Sequence, residues 1–101
     1  AFGIVATPAR TDTVQQLEVG RAWQRMHLAI TAMGLAAQPL NQLAEWQDHE
    51  AVHDLEPTAA RQFAEILGRD DVGAQMVFRV GVPREPATHH APRRPLSWVT
   101  L

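Results

Sequence analysis

The residues from Gly20 to Gln42, GRAWQRMHLAITAMGLAAQPLNQ, dictate a long helix near the start of the chain. Apolar side chains recur there at intervals of three and four residues, at Val19, Ala22, Trp23, Met26, Ala29, Ile30 and Met33. This spacing is typical of one helical face. Beyond Met26, apolar residues also fill the opposite side, which predicts a helix buried all round. A chain of 101 residues can hardly surround such a helix, so we expect part of it to contact a partner subunit or a missing segment.

The segments on either side of this helix have their own signals. Residues 2–6 (FGIVA) form a short apolar run that predicts a strand buried on both faces. The helix is expected to begin near residue 12, where a side-chain oxygen can cap the first free N–H groups. The candidate caps are Thr11, Asp12 and Thr13. Gly34 is predicted to end or bend the helix in the left-handed conformation. Residues 36–42 then form a predicted turn that contains Pro39.

The second half of the chain is predicted to hold shorter elements. Residues 43–56 are polar and acidic with isolated apolar positions, which indicates one or two short surface helices. Pro57 suits the first turn of another helix, and Gly68 suits its end. Residues 75–82 (QMVFRVGV) are rich in β-branched and aromatic side chains and predict a second interior strand.

The C-terminal segment is predicted to be an extended arm followed by a terminal strand. Residues 83–95 include four prolines, which favour an extended chain without ladder hydrogen bonds. Residues 96–101 (LSWVTL) alternate between apolar and polar and predict the strand. An arm of this kind can reach another subunit and add a strand to its sheet. The pattern therefore predicts a homodimer.

Composition excludes several classes of function. The formal net charge is −2, and the nine basic residues are scattered along the chain, so neither nucleic acid nor an anionic membrane surface is an expected partner. All nine are arginines, and the chain has no cysteine, which excludes catalytic lysines, thiolates and disulfides. No apolar run has the roughly 20 residues of a membrane span, which predicts a soluble cytoplasmic protein.

The most conspicuous short motif is His49-Glu50-Ala51-Val52-His53. In H-E-x-x-H, two imidazoles one helical turn apart bind zinc and the intervening glutamate acts as a general base. The alternative interpretation, a solvated helix face with histidines among carboxylates, is favoured because the residues before the motif are polar. Candidates for a third zinc ligand are Glu65, Asp70 and Asp71.

Three further pairs of residues are candidates for chemistry. His89 and His90 are adjacent in an extended segment, where neighbouring side chains point to opposite sides, so metal binding is not favoured. Arg93 and Arg94 precede Pro95, and a guanidinium beside a rigid residue suits a phosphomonoester, although a surface charge is the favoured interpretation. His27 and Thr31 lie four residues apart on the long helix, and Thr31 is expected to bond a backbone carbonyl one turn earlier.

Four blocks of the sequence together resemble the C-terminal half of the nitroreductase family of FMN-dependent oxidoreductases. The blocks read GRAWQRMHLAITAMGLAAQPLNQ, AEILG, AQMVFRVGVP and PRRPLSWV, and they occur in the order and spacing of that family. The resemblance implies an α+β fold with a mixed sheet and a long central helix, and a dimer whose subunits exchange C-terminal arms. It also implies two equivalent flavins bound between the subunits.

The resemblance also implies a site and a reaction. Pro39, Leu40, Asn41 and Gln42 match the segment that lines the flavin ring, with the backbone N–H groups of Asn41 and Gln42 near N5 and O4 of the flavin. Arg93 matches the arginine that binds the FMN phosphate, and Arg94 is a second candidate. The implied activity is hydride transfer from NAD(P)H through FMN to a nitroaromatic or quinone acceptor.

The chain departs from the family pattern in several places. The N-terminal half of the family domain is absent, so this sequence corresponds to a fragment with part of the flavin site. Ala91 stands where a basic residue is common, and Asn41 and Gln42 stand where the flavin loop usually has acidic and glycine residues. Two alternatives stay open, a non-catalytic flavin-binding or dimerisation module and a small zinc hydrolase built on His49, Glu50 and His53.

Overall fold

A computed structural model describes residues 1–85, 91–92 and 94–100. The elements in chain order are β1 (Phe2–Thr7), α1 (Thr13–Ala32), β2 (Ala36–Pro39), α2 (Gln42–Val52), α3 (Thr58–Leu67) and β3 (Gly73–Gly81), followed by a short 3-10 helix, Leu96–Trp98. The predicted α+β class is confirmed.

The three described strands form an antiparallel sheet with the order β1-β3-β2. A mixed sheet was predicted, but both pairs in the described part of the chain are antiparallel. The predicted interior position of the 75–82 strand is confirmed, because β3 lies in the middle and pairs along both edges. β1 was predicted to be buried on both faces, and this was wrong. It is an edge strand whose residues are half-buried, and Phe2 is exposed.

Helices lie on both faces of the sheet. Val77 and Phe78 are successive residues of β3, so their side chains point to opposite faces. Val77 belongs to a small core with Phe63 of α3, whereas the Phe78 ring lies 5.1 Å from the Trp23 ring of α1. Ala74 completes that core, and no large side chain among the described residues is fully buried. The chain therefore builds a thin layered structure with little interior.

Both predicted ends of α1 are confirmed. The Asp12 carboxylate accepts a hydrogen bond from the backbone N–H of Gln15 at 2.9 Å, which satisfies one of the free donors of the first turn. Gly34 has φ 73°, the left-handed conformation that glycine adopts without steric cost. The N–H of Leu35 then bonds back to the carbonyl of Ile30 at 3.0 Å, as in a Schellman-type end.

The prediction that α1 is buried all round does not hold within this chain. Val19 is its buried residue, while Leu28 and Met33 have relative exposures of 60% and 73%. The reason is geometric, since this chain offers α1 a single sheet face, and that covers only one side of a helix. The exposed apolar side agrees with the expectation that one subunit cannot surround this helix.

Residues 36–42 were predicted to form a turn, and this was wrong. Ala36–Pro39 form β2, with Ala36 paired to Gly81 and Pro39 to Phe78, and α2 begins at Gln42. The four residues of β2 are too few to show the alternation that identifies a strand in a sequence. Pro39 is compatible with the strand, because a proline at the end of an edge strand costs no ladder hydrogen bond. Residues 43–56 contain one helix, α2. The next helix, α3, begins one residue after Pro57 and ends at Gly68, whose φ is 67°.

The predicted terminal strand was also wrong in the part that is described. Leu96–Trp98 form a 3-10 helix, and the N–H groups of Val99 and Thr100 bond back to the carbonyl of Leu96 at 3.0 and 3.1 Å. These local bonds replace the inter-strand bonds that alternation alone suggests. Residues 86–90, Arg93 and Leu101 lie outside the described residues, so nearly half of the predicted arm does too.

Gly3 allows the Phe78 ring to lie directly on the backbone of β1. A Cβ at this position would be 2.3 Å from the ring, too close for any real contact. We expect Gly3→Ala to displace Phe78 from Trp23 and to lower the free energy of unfolding by about 1–2 kcal/mol. Gly20→Ala is the control, because a Cβ there meets nothing within 4 Å and alanine favours a helix interior. Urea denaturation of both variants tests this, and an equally stable Gly3→Ala variant would contradict it.

Candidate functional site

The junction between β2 and α2 carries the segment matched to the flavin ring. Leu40 is tied to the central strand, since its N–H donates to the carbonyl of Val77 at 2.8 Å. Asn41 occupies the N-cap of α2, but its side chain makes no capping bond. No acceptor among the described residues bonds the backbone N–H of Asn41 or Gln42. The junction therefore presents two adjacent donors on a backbone fixed to the sheet.

Asn41 also has a buried oxygen without a hydrogen bond. Its side-chain Oδ1 is inaccessible to solvent and has no donor among the described residues. Leaving such a group unsatisfied costs about 1–3 kcal/mol, so buried polar atoms of this kind need an explanation. Asn41 lines a cavity of about 320 Å³ between α1, α2 and β3. A ligand that donates a hydrogen bond is one explanation.

Polar groups supply much of the lining of this cavity. Arg10, Asp48 and Gln75 contribute to it, and Val19 and Met76 supply apolar surface. Gln75 is held in place, because its amide nitrogen donates to the Thr7 hydroxyl at 2.7 Å and to the carbonyl of Arg10 at 2.8 Å. The cavity walls are therefore largely fixed by bonds within the chain.

Arg10 is the centre of the strongest polar network in the described structure. Its Nε donates to the carbonyl of Ala74 at 2.9 Å, and Nη2 donates to the carbonyl of Ala44 at 2.7 Å. The same guanidinium forms a bidentate ion pair with Asp48, with Nη2 2.8 Å from one carboxylate oxygen. Arg10 thus joins the β1–α1 loop to α2 and to β3 through the planar geometry that suits carboxylates.

The ion pair shifts the pKa of both Arg10 and Asp48. Hydrogen bonding from Arg10 lowers the pKa of Asp48, with their direct charge attraction contributing less and burial opposing the shift. The hydrogen bond to Asp48 raises the pKa of Arg10 in turn. The sequence did not predict this network, because Arg10 and Asp48 are 38 positions apart and belong to no motif. Only the tertiary fold brings them together.

Glu50 of the H-E-x-x-H motif has a structural role. It is buried, with a relative exposure of 4%, and both carboxylate oxygens accept from the backbone N–H of Ala59, at 3.2 and 3.1 Å. Glu50 therefore caps the first turn of α3, where the helix dipole favours a negative charge. The favoured interpretation of a solvated face was wrong for this residue, because the polar residues before Glu50 in sequence gave no sign of its partner on α3.

The two histidines of the motif lie on the other side of α2. His49 and His53 are exposed, and their ring centres are 4.4 Å apart. Trp46 extends this row, with its ring centre 4.7 Å from that of His49. Among the described residues, no group of three or more His, Asp or Glu side chains is placed to hold a metal ion. A zinc hydrolase therefore lacks both a third ligand in this part of the chain and a free glutamate base.

His27 and Thr31 behave as expected of structural residues. The Thr31 hydroxyl donates to the backbone carbonyl of His27 at 2.8 Å, which confirms the predicted bond. The His27 ring stacks on Trp23, with an interplanar angle of 7° and ring centres 5.4 Å apart. The Trp23 ring in turn packs against Phe78 and helps to position α1 on the sheet.

Of the two predicted phosphate-binding residues, Arg94 is the one in the described part of the chain. Arg93, together with His89 and His90, lies outside the described residues. Arg94 is exposed in the C-terminal segment and is not among the residues that line the cavity beside Asn41. The described structure thus brings Pro39, Leu40, Asn41 and Gln42 together but does not join Arg94 to them.

Comparison with protein-family models, curated proteins and solved structures finds no match for this chain. None of the described helices has the length and apolar character needed to cross a membrane.

Proposed function

We propose that this chain supplies part of an FMN site in a dimeric NAD(P)H-dependent oxidoreductase of the nitroreductase type. The observation that carries the proposal is the β2–α2 junction. Its Asn41 has a buried, unpartnered oxygen, and the backbone N–H groups of Asn41 and Gln42 have no acceptor among the described residues. The junction therefore combines donors and an acceptor on a rigid backbone, as the edge of a flavin ring requires.

The donors and the acceptor fit the polar edge of an isoalloxazine. Its N5 and O4 accept hydrogen bonds, which matches the two backbone N–H groups, and its N3–H donates, which matches Asn41 Oδ1. Val19 and Met76 supply apolar surface in the cavity that Asn41 lines, while Leu40 packs against the core of Phe63 and Val77. The cavity has a volume of about 320 Å³, which is at the lower limit of the volumes of ligand sites. We therefore propose that a second subunit supplies the remaining walls of the flavin site.

The phosphate would be bound by Arg93 and Arg94. Arg94 is exposed, and its guanidinium has the planar fork that suits a phosphate. Because Arg94 does not line the cavity beside Asn41, we propose that the arginines act on the flavin of the partner subunit. This is the arrangement expected if the C-terminal segments of a dimer are exchanged.

Exposed apolar surface supports a second subunit. Large apolar side chains on α1 and on the C-terminal segment are solvent-exposed, among them Leu28, Met33, Leu96 and Trp98, with relative exposures from 60% to 74%. Single exposed side chains need no explanation, but a 20-residue helix with one buried residue does. We propose that a second copy of this chain covers the outer side of α1.

Bound FMN would supply the hydride chemistry, accepting from NAD(P)H and passing electrons to a nitroaromatic or quinone acceptor. The residues of this chain bind and orient the ring through the Asn41–Gln42 backbone and exclude water with apolar side chains. Their contribution is positioning and hydrogen bonding.

Binding of FMN and of riboflavin to the same protein tests the proposal, because the two ligands differ by the phosphate. We expect the isolated chain to bind FMN weakly, with a dissociation constant of micromolar or above, and riboflavin more weakly still. Asn41→Ala should weaken both ligands by about 2- to 10-fold, the value of one hydrogen bond. Arg93→Ala/Arg94→Ala should remove the preference for FMN, since a charged hydrogen bond contributes about 10-fold or more.

Arg69→Ala is the matched control, because Arg69 pairs with the exposed Asp71 in the turn that follows α3. It should leave both affinities unchanged. Equal binding of FMN and riboflavin that neither variant alters would disprove the site. Submicromolar, stoichiometric FMN binding by a single chain would disprove the claim that the site is shared. Stopped-flow reduction by NAD(P)H then separates an enzyme from a flavin-binding module, which would bind FMN without being reduced.

A further inference from the structure

We propose that His49 and His53 form a two-imidazole binding site for Cu²⁺ or Ni²⁺ on the outer face of α2, with Trp46 at its edge. This site is independent of the flavin site. Residues one helical turn apart lie side by side on a helix, and both of these imidazoles are exposed. Glu50 lies between them in sequence, but its carboxylate accepts hydrogen bonds from the N–H of Ala59 on the buried side of α2. The two imidazoles are therefore the metal ligands that the motif offers.

The separation of the two rings matches chelation of one ion. Metal–nitrogen bonds to histidine are about 2.0–2.1 Å long, which places each ring centre roughly 3.2 Å from the metal. Two such rings at a right angle have centres about 4.5 Å apart, and at a tetrahedral angle about 5.2 Å. The 4.4 Å between the centres of His49 and His53 is close to these separations, so small rotations of the two exposed side chains bring both rings onto one ion.

The number and type of ligands favour particular metals. Two imidazoles with water suit tetragonal Cu²⁺ and Ni²⁺, whereas Zn²⁺ in proteins takes three or four protein ligands. Imidazole suits all three ions, and Cu²⁺ binds nitrogen ligands most tightly. No third His, Asp or Glu among the described residues reaches the pair, so water would occupy the other positions. We therefore expect an open site of moderate affinity that favours Cu²⁺ over Zn²⁺.

Trp46 provides a direct readout. Its ring stacks on His49 with centres 4.7 Å apart, so a paramagnetic Cu²⁺ ion on the imidazole quenches its fluorescence efficiently. Titration of the full chain with Cu²⁺ at neutral pH should quench tryptophan emission at one equivalent, with a midpoint in the micromolar range. Zn²⁺ should bind at least 10-fold more weakly, measured by competition with Cu²⁺. Electron paramagnetic resonance of the Cu²⁺ complex should show two equatorial imidazole nitrogens.

Four variants separate this site from other copper ligands. His49→Ala and His53→Ala should each weaken Cu²⁺ binding at least 10-fold. His53→Ala/Ala51→His keeps two imidazoles on α2 but places the second one two residues after His49 instead of four. At that spacing the two side chains face away from each other. This register variant should bind as weakly as the single variants. His89→Ala/His90→Ala should bind Cu²⁺ as the unaltered chain does.

The proposal is overturned if the register variant binds Cu²⁺ as tightly as the unaltered chain, or if only the His89→Ala/His90→Ala variant loses affinity. A paramagnetic resonance signal with a single imidazole nitrogen would also overturn it. Circular dichroism of each variant checks that α2 remains folded. None of these outcomes depends on flavin, so the result is separate from that of the FMN titrations.

Discussion

Replacing Arg10 with alanine is expected to lower the free energy of unfolding by about 2–4 kcal/mol. The change removes the bidentate pair with Asp48 and the bonds to the carbonyls of Ala44 and Ala74. The Arg10 side chain is largely buried, at 17% exposure, so water cannot replace these bonds fully, although the exposed Asp48 moderates the loss. Chemical denaturation monitored by tryptophan fluorescence measures it.

Two comparisons make this prediction specific. Arg21→Ala removes an exposed ion pair on α1 and should cost less than about 0.5 kcal/mol. Arg10→Lys keeps the charge but loses the planar fork, so most of the loss should remain. Full stability of Arg10→Lys would show that charge alone matters at this position.

The Arg10 effect should also depend on pH. Because Arg10 lowers the pKa of Asp48 below its ordinary 3.8, the pair stabilises the fold above that value. Its contribution is lost as the pH falls through the lower pKa of the folded state. The difference between the unaltered chain and Arg10→Ala should therefore be constant near neutrality and shrink below about pH 4.

Replacing Glu50 with alanine is expected to lower the free energy of unfolding by about 2–3 kcal/mol. The variant leaves the buried N–H of Ala59 without an acceptor, which costs about 1–3 kcal/mol, and the lost methylenes leave a cavity. Glu50→Gln keeps an acceptor oxygen of similar shape and should recover at least half of the loss. The measurement is again urea denaturation, together with hydrogen exchange of the first turn of α3.

Glu65→Ala is the matched control for Glu50. Glu65 is an exposed glutamate on α3 itself, and its replacement should change stability by less than about 0.5 kcal/mol. If Glu50→Ala were as mild as Glu65→Ala, the carboxylate would not be capping α3. In that case Glu50 would again be a candidate for chemistry beside His49 and His53.

Local signals in the sequence predicted much of the fold. The cap at Asp12, the left-handed Gly34 and Gly68, and the central strand all follow from short-range rules, because each depends on neighbours within a few residues. The errors concern elements without a clear period. β2 has only four residues, and the alternation in 96–101 does not show that local bonds to Leu96 are formed instead.

The polar contacts could not be predicted in the same way. Glu50 lies nine positions from Ala59, and Arg10 lies 64 positions from Ala74, so their bonds depend on how α2, α3 and β3 are assembled. The H-E-x-x-H pattern identified His49, Glu50 and His53 as residues of interest, but the zinc hydrolase that it suggests does not fit the fold. In the fold its glutamate and its histidines face opposite sides of α2, and they serve separate roles.

Sedimentation of the chain with FMN, followed in the flavin absorption band, tests the central claim most directly. The claim is that a second copy covers α1 and completes the flavin site begun at Asn41. It predicts that flavin absorbance sediments with a species of two chains, and that Asn41→Ala and Arg93→Ala/Arg94→Ala reduce this bound fraction without dissociating the dimer. Flavin absorbance that stays with the free ligand at saturating FMN, or that moves with a single chain, would contradict the account.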